Sequence, residues 1–224
     1  MIRTMKRILA SFVLVLSMAC LAASVIPPAI APIKTLELNA LNTLVFNEDI
    51  DSASADTFVA ALMGKRVLLD MYFPGDTLYV IIASGGGQYY DVKMMRAMLA
   101  KIPNVAVICK YCASAAGYLF VTFPGKRYTI EKSHLLMHEM YIPKLTAAQV
   151  DNYNFNSLIK DSEEFNKEHY SRIGISRQEY EKKIIEKEWS VFGAGIIEIH
   201  LADEHVKLSC NAYVQRMAPD TCKQ

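Results

Sequence analysis

The chain has 224 residues, of which 52% are hydrophobic and 21% are charged, enough for one domain with a large core. Its 24 Lys and Arg residues nearly balance its 23 Asp and Glu residues, so there is no strongly basic surface to attract nucleic acid. We therefore expect a globular domain without a nucleic-acid partner.

The N-terminal segment differs from the rest of the chain. Residues 1–7 carry three basic side chains and no acidic one, and residues 8–26 contain no charged residue. A basic start, an apolar stretch and then small residues form the pattern of an export signal, and about 20 apolar residues also suffice to span a bilayer. We expect residues 1–31 to be a signal peptide or an N-terminal membrane anchor, and residues 32–224 to form an exported domain, periplasmic or attached to the membrane through its N-terminus.

Four cysteines follow the apolar segment, at positions 109, 112, 210 and 222. An even number in an exported domain favours disulfides, and Cys210 with Cys222 is the preferred pair because these two bracket a short C-terminal loop. For Cys109 and Cys112 three alternatives stay open: a second disulfide pair, a redox site, or two buried thiols. In a regular strand these two residues face opposite ways, so a bridge between them needs a turn. No second Cys or His pair with metal-ligand spacing accompanies them, so we expect no metal.

The hydrophobic pattern alternates strands and helices along the rest of the chain. Strands are predicted at residues 35–38, 43–46, 78–83, 105–109, 126–130, 134–138 and 206–208. Helices are predicted at residues 53–63, 90–100, 115–123, 146–172, 176–188 and 192–200. Residues 67–73 are interpreted as a strand or as the end of the first helix. Such alternation indicates an α/β domain with a mostly parallel sheet.

Ser114 lies where the predicted strand at residues 105–109 gives way to the next helix, among residues too small to shield it. A nucleophilic serine needs this position, exposed on a sharp turn beside the free amides of a helix N-terminus. Taken alone, the sequence Ala-Ser-Ala-Ala-Gly around it is more often simply a tight junction between strand and helix.

Two further features favour a catalytic interpretation. A Ser-Gly-Gly-Gly turn at residues 84–87 follows a buried strand, and glycines there let backbone amides approach a developing oxyanion. His138 ends another predicted strand and is a candidate base for Ser114, although a lone histidine is more often structural. The carboxyl ends of parallel strands meet at one edge of a sheet, so we expect these features to lie together.

The glycine turn, the Ala-Ser-Ala-Ala-Gly motif and the Leu-Leu-Met-His motif together resemble the proteolytic subunit of the Clp protease, in order and in spacing. The resemblance covers about residues 43–206, and the wider superfamily includes the crotonase-like enzymes. It implies a Clp- and crotonase-like fold of repeated β-β-α units with a mostly parallel sheet and a long protruding helix. It also implies a serine endopeptidase that acts on peptides or unfolded proteins, needs no cofactor and forms a homo-oligomer.

Carried over by position, the resemblance makes Ser114 the nucleophile and His138 its general base. The amides of Gly87 and Ala115 become the oxyanion hole. Gly85 stands where the family usually has proline, a difference that we expect to loosen the turn.

The third member of the triad departs from the family pattern. The family's aspartate position, two residues before the aromatic Trp189, is occupied by Lys187, and lysine cannot orient a histidine as a carboxylate does. Glu188 is the favoured replacement, and the alternatives are a Ser-His dyad or a degraded site. Asp203 matches a family position that is not catalytic, so we interpret it as structural.

Two other functions are also compatible with the sequence. A protein that has kept the fold and lost catalysis would be a scaffold or a binding protein, and Lys187 favours that alternative. A crotonase-type enzyme would use the glycine turn to hold the oxyanion of an acyl-CoA thioester, but an extracytoplasmic location argues against it.

Overall fold

A computed structural model describes residues 33–139 and 155–222, which form seven strands and seven helices. The strands are β1 (Lys34–Leu38), β2 (Thr43–Phe46), β3 (Leu78–Ser84), β4 (Val105–Ala113), β5 (Lys126–His138), β6 (Glu188–Phe192) and β7 (Glu204–Cys210). The helices are α1 (Ser52–Tyr72), α2 (Tyr89–Lys101), α3 (Ser114–Thr122), α4 (Phe155–Ile173), α5 (Arg177–Ile184), α6 (Gly195–Glu198) and α7 (Ala212–Met217).

All seven described strands belong to one sheet, in the order β1-β7-β5-β4-β3-β2, with β6 alongside β5. Each pairing in this order is parallel, whereas β6 runs antiparallel to β5. Parallel neighbours need a crossover connection between them, and the helices between successive strands supply it. The predicted mostly parallel α/β architecture is therefore confirmed.

The two faces of the sheet bury separate apolar cores, because successive side chains of a strand point to opposite faces. On one face, α1, α2 and α3 cover alternate strand residues such as Val80, Ile82 and Val107. On the other face, a smaller core around Ile81 and Ile108 is closed by apolar residues of β1, β7 and α7. The strands of the sheet centre are therefore buried on both faces, which explains their long apolar runs.

Helix α1 begins at a capping box formed by Asp51 and Ser54. The Ser54 amide donates to the Asp51 carboxylate at 2.8 Å, and the Asp51 amide donates to the Ser54 hydroxyl at 3.0 Å. The helix then continues to Tyr72, so residues 67–72 are its end and not a separate strand. Leu69, in this last part, packs in the same core as Phe58.

Some predicted boundaries in the second half of the chain are wrong. The two strands predicted between residues 126 and 138 form one strand, β5. The helix predicted at residues 192–200 is reduced to α6, a single short turn, because β6 extends as far as Phe192. The helix predicted to reach residue 188 ends at Ile184, because the following residues turn into β6 and pair with β5.

A bulge in β4 explains how its two cysteines meet. Pairing with β3 is regular up to Cys109 and resumes from Tyr111, so Lys110 is an extra residue in β4. The extra residue turns Cys112 to the same face as Cys109, and the two are bonded with their Cα atoms 5.8 Å apart. The bulge supplies the turn that this pair needs, and the predicted Cys210–Cys222 bond is also formed.

Two predictions fall outside the described residues: the N-terminal signal or anchor, and the first part of the long helix, residues 146–154. Within the part of the chain that the structure does describe, no helix is long and apolar enough to cross a membrane.

Candidate active site

Ser114 begins α3, directly after β4 ends at Ala113. Its φ is +55°, a left-handed backbone conformation that residues other than glycine seldom adopt. Between positions 112 and 123, Ser114 is also the single residue that is not buried. Backbone strain of this kind is found preferentially at functional sites, and here it coincides with a partly exposed serine at the point where strand becomes helix.

The glycine turn after β3 packs directly on the Ser114 junction. Gly86 has a φ of +99°, and a Cβ atom on it would lie 2.7 Å from the Ala113 carbonyl oxygen and 2.8 Å from the Ala115 nitrogen. A glycine is therefore required for the two backbones to approach so closely. Gly86 is thus the glycine of this turn that touches the Ser114 junction, and the role predicted for the Gly87 amide in the oxyanion hole stays a prediction.

A backbone bridge to Ile50 holds the turn from its other side. The Ile50 amide donates to the Gly86 carbonyl at 2.7 Å, and the Gln88 amide donates to the Ile50 carbonyl at 2.8 Å. In a parallel bridge of this kind the amide of the middle residue, Gly87, points away from Ile50. The Ser84 hydroxyl also accepts from the Gly86 amide at 3.1 Å, which helps to hold the turn.

His138 is the last residue of β5, the strand next to β4. Because Ala113 pairs with Leu136, both Ser114 and His138 lie just beyond the last paired residues of these two strands. The Nδ1 atom of His138 lies 2.6 Å from the carbonyl oxygen of Glu139. A carbonyl oxygen can only accept a hydrogen bond, so Nδ1 carries the proton and Nε2 is the basic nitrogen of the ring.

Glu188 begins β6 and is paired with His138 across the antiparallel β5–β6 ladder. Directly opposite residues of such a ladder have their Cβ atoms about 5 Å apart on the same face. Lys187 lies outside the ladder, and its amide donates to the Ile184 carbonyl. A surface pocket of about 400 Å³ adjoins this place, lined by His138, Glu139, Ile184, Glu186, Lys187 and Glu188.

The structure brings Ser114, His138 and Glu188 to one edge of the sheet without joining them by hydrogen bonds. Within the described residues, neither the Ser114 hydroxyl nor the Glu188 carboxylate is bonded to His138, whose Nδ1 is occupied by Glu139. Hydrogen bonds between catalytic groups are often long in the absence of substrate. The catalytic roles of the three residues therefore stay predictions.

Asp203 has a different environment. Its carboxylate accepts a hydrogen bond from the amide of Arg127 and another from the Nη2 of the same residue, each at 2.8 Å. These contacts tie the segment before β7 to β5, in keeping with the structural interpretation of Asp203. In the described part of the chain, no group of three or more His, Cys, Asp or Glu residues is arranged to hold a metal ion.

A serine on a strained turn between strand and helix, with glycine backbone packed on it and a histidine on the next strand, is typical of α/β serine hydrolases. The sequence profile of the Clp protease family matches residues 33–189, which is more than half of the chain. The chain therefore belongs to the Clp protease family, and its α/β sheet is the Clp-like fold that the sequence predicted. Members of this family act on peptides and usually form oligomers. A search of curated proteins found no match for this chain.

A buried histidine that no sequence motif marks lies on α4. His169 is 1% exposed, and the rings of Tyr118, Phe165 and Tyr180 surround it. Burial, together with the positive charge of Arg172, lowers the pKa of His169 to about 3. The imidazole is therefore neutral in the folded protein at neutral pH, and its Nδ1 lies 2.8 Å from the Tyr180 hydroxyl.

We expect His169 to make the protein sensitive to acid. An unfolded histidine has a pKa of about 6.5, so below that pH the unfolded chain gains a proton that the folded chain cannot, and stability is lost as the pH falls from about 6.5 towards 3. At pH 5 the loss in free energy of unfolding amounts to about 2 kcal/mol. Urea unfolding at pH 7.5 and pH 5.0 should therefore show a smaller change for His169→Phe than for the wild type.

The exposed His200 provides the control for this measurement. His200→Gln should keep the wild-type difference between the two pH values. If His169→Phe also kept it, the neutral buried imidazole would not be the source of the acid sensitivity.

Proposed function

We propose that the protein is an exported serine endopeptidase that hydrolyses peptide bonds through an acyl-enzyme formed on Ser114. The observation that carries the proposal is the state of Ser114: a strained, partly exposed residue among buried neighbours, at the end of a parallel strand. The glycine turn that packs on this junction adds the backbone amides that such chemistry requires.

In the proposed reaction, the Ser114 hydroxyl attacks the peptide carbonyl while Nε2 of His138 takes its proton. The amides of Gly87 and Ala115 stabilise the resulting oxyanion. Ala115 lies in the first turn of α3, where amides have no partner within the helix, and the Gly87 amide takes no part in the Ile50 bridge. His138 then passes the proton to the leaving amine, and a water molecule hydrolyses the ester by the same route.

Glu188 is proposed as the third catalytic residue, supported by its place opposite His138 on the ladder. For this role its carboxylate must replace the Glu139 carbonyl as the partner of Nδ1. A carboxylate carries a full negative charge and stabilises the imidazolium that forms when Nε2 takes the serine proton, whereas a carbonyl offers only a partial charge. A side-chain movement at the start of β6 would thus complete a Ser-His-Glu triad.

Export is proposed from the basic and apolar N-terminal sequence, and the two bonded cysteine pairs support it because disulfides persist in oxidising compartments. The same N-terminal segment offers attachment to a membrane if it is retained. The substrate is proposed to be a peptide or an unfolded protein.

Self-association is proposed through the exposed face of α1. Six large apolar residues in its C-terminal half and directly after it are between 45% and 70% exposed, namely Met63, Val67, Leu68, Met71, Tyr72 and Phe73. A contiguous apolar surface of this kind is typical of an interface, and a second copy of the chain is the occupant consistent with the oligomers of the family.

A fluorophosphonate probe, which reacts with activated serines, tests the proposal. The purified domain should be labelled at Ser114, and labelling should disappear in Ser114→Ala. Self-association is tested separately by light scattering, which should give a molecular mass that is a multiple of that of the single chain. Ser162→Ala, which removes a serine from α4, is the control and should be labelled like the wild type. A folded, oxidised wild-type protein that the probe leaves unlabelled would contradict the proposal.

The second candidate is a scaffold or binding protein that has lost catalysis, and Lys187 favours it because it occupies the family's aspartate position. The same labelling experiment separates the peptidase from the scaffold, since a site that has lost catalysis has no activated serine. A crotonase-type enzyme is a weaker alternative, which would bind acyl-CoA and would be indifferent to Ser114→Ala.

A further inference from the structure

Three aromatic rings form a row across the strands β4, β5 and β6. Tyr111 pairs with His134, and His134 pairs with Phe192, so the three residues stand side by side in register. The rings of His134 and Phe192 are stacked, with centroids 4.3 Å apart and planes at 18°, and the ring of Tyr111 lies 5.4 Å from that of His134. We call these three residues the aromatic row.

The aromatic row lies on the sheet face opposite to α1, α2 and α3, beyond the part of that face that other residues cover. Nearer the start of the strands, this face is closed over Tyr128 and Ile130 by apolar residues of β1, β7 and α7. At the aromatic row, Phe192 is 62% exposed and Tyr111 is 37% exposed. Large aromatic side chains that stand together in solvent on a sheet face are typical of a binding surface.

The rings of the row are held in place before any partner binds. His134 is stacked on Phe192, and its Nε2 lies 3.0 Å from the Ser190 hydroxyl. Because these rings are already fixed by their neighbours, binding of an apolar side chain would cost the protein little additional side-chain conformational entropy.

The aromatic row is continuous with the candidate active site. His134 and His138 are four residues apart on β5 and therefore share a face, with Leu136 between them. At about 3.3 Å per residue the distance along the strand is about 13 Å. An extended peptide that runs along the sheet from the Ser114 edge would bring a side chain about four residues from the scissile bond onto the row.

We propose that the aromatic row is a substrate-binding site for an aromatic or large aliphatic side chain of an extended polypeptide. This inference deepens the proposed function and rests on it for the position of the scissile bond. It assigns the substrate class more narrowly: segments of unfolded protein with an apolar side chain about four residues from the cleaved bond. Phe192 and Tyr111 supply the exposed ring surfaces, and His134 with Ser190 fixes their spacing.

The test is a series of uncharged decapeptides in which one phenylalanine is moved through a serine- and alanine-containing background. Mass spectrometry locates the cleaved bond, and kcat/KM is measured for each peptide. The wild type should prefer the peptide with phenylalanine about four residues from the cleaved bond by about tenfold or more over the peptide with serine there, as expected for burial of one aromatic side chain. In Phe192→Ser the preference should fall to about one, mainly through KM.

Tyr90→Ser is the matched control, since Tyr90 is a 52% exposed tyrosine on α2, outside the aromatic row. It should keep the wild-type preference, whereas Tyr111→Ser should reduce it. A Phe192→Ser enzyme that cleaves with an unchanged preference would overturn the proposal. An unchanged preference with a lower molecular mass in solution would also overturn it, by assigning the row to contact between copies.

Binding measured without cleavage separates this proposal from the proposed function. Fluorescence anisotropy with the dye-labelled phenylalanine peptide and the Ser114→Ala protein should show binding that weakens about tenfold in Ser114→Ala/Phe192→Ser. If the wild type is neither labelled by the fluorophosphonate nor able to cleave, but the binding depends on Phe192, the aromatic row stands and the peptidase proposal fails. If cleavage occurs and binding does not depend on Phe192, the peptidase proposal stands and the aromatic-row proposal fails.

Discussion

Glu188→Gln is expected to lower kcat by about 10³-fold while the protein stays folded. The substitution keeps the size of the side chain and removes its charge. If Glu188 stabilises the imidazolium of His138 during acylation, a neutral amide cannot replace it, and the transition state loses that stabilisation while substrate binding is kept. Steady-state kinetics on a peptide substrate, with kcat and KM separated, measures the effect.

Glu186→Gln is the matched control, because Glu186 lines the same pocket and loses the same charge but stands outside the β5–β6 ladder. It should stay within about threefold of the wild type, as expected for an exposed charge near a site. Equal effects of the two substitutions would mean that only the general charge of the pocket matters. A Glu188→Gln enzyme with wild-type kcat would identify the site as a Ser-His dyad.

The strands of the sheet centre could be predicted from the sequence because they are buried on both faces. Their burial demands long apolar runs, and the run at residues 78–84 needs no knowledge of its neighbours to be recognised. β6 could not be predicted in the same way. It has only five residues, exposed and half-buried in alternation, and its pairing with β5 is a contact between residues about 55 positions apart. Such contacts override weak local preferences.

The same distinction, between local sequence patterns and distant contacts, applies to the residues of the candidate site. Ser114 and His138 could be named because each lies at the end of an apolar run, where a parallel sheet collects its functional groups. That Glu188 stands opposite His138 follows from the register of β6, which no local pattern specifies. The role of Gly86 depends on backbone dihedral angles and on the approach of two loops, and three glycines in a row give no sign of which one makes the contact.

Gly86→Ala is expected to have the largest effect on the structure of the site. A Cβ atom there would lie 2.7 Å from the Ala113 carbonyl oxygen and 2.8 Å from both the Ala115 nitrogen and the Cβ of Ser114. These neighbours are mostly backbone atoms and cannot rotate away, so the glycine turn and the Ser114 junction must move apart. Together with the unfavourable φ of +99°, this should cost about 3 kcal/mol of stability, and the rate of fluorophosphonate labelling should fall by about 10²-fold or more.

Gly174→Ala separates the effect of the close contact from the effect of the unfavourable φ. Gly174 also has a positive φ, +76°, but nothing lies within 4 Å of the position that its Cβ would take. This variant should lose only the conformational part, about 1 kcal/mol, and should be labelled at the wild-type rate. Urea unfolding and labelling rates of both variants give the comparison. If the two variants were alike in both measurements, the contact between the glycine turn and Ser114 would not be what positions the serine; if Gly86→Ala alone is slow, the serine depends on that contact for its reactivity.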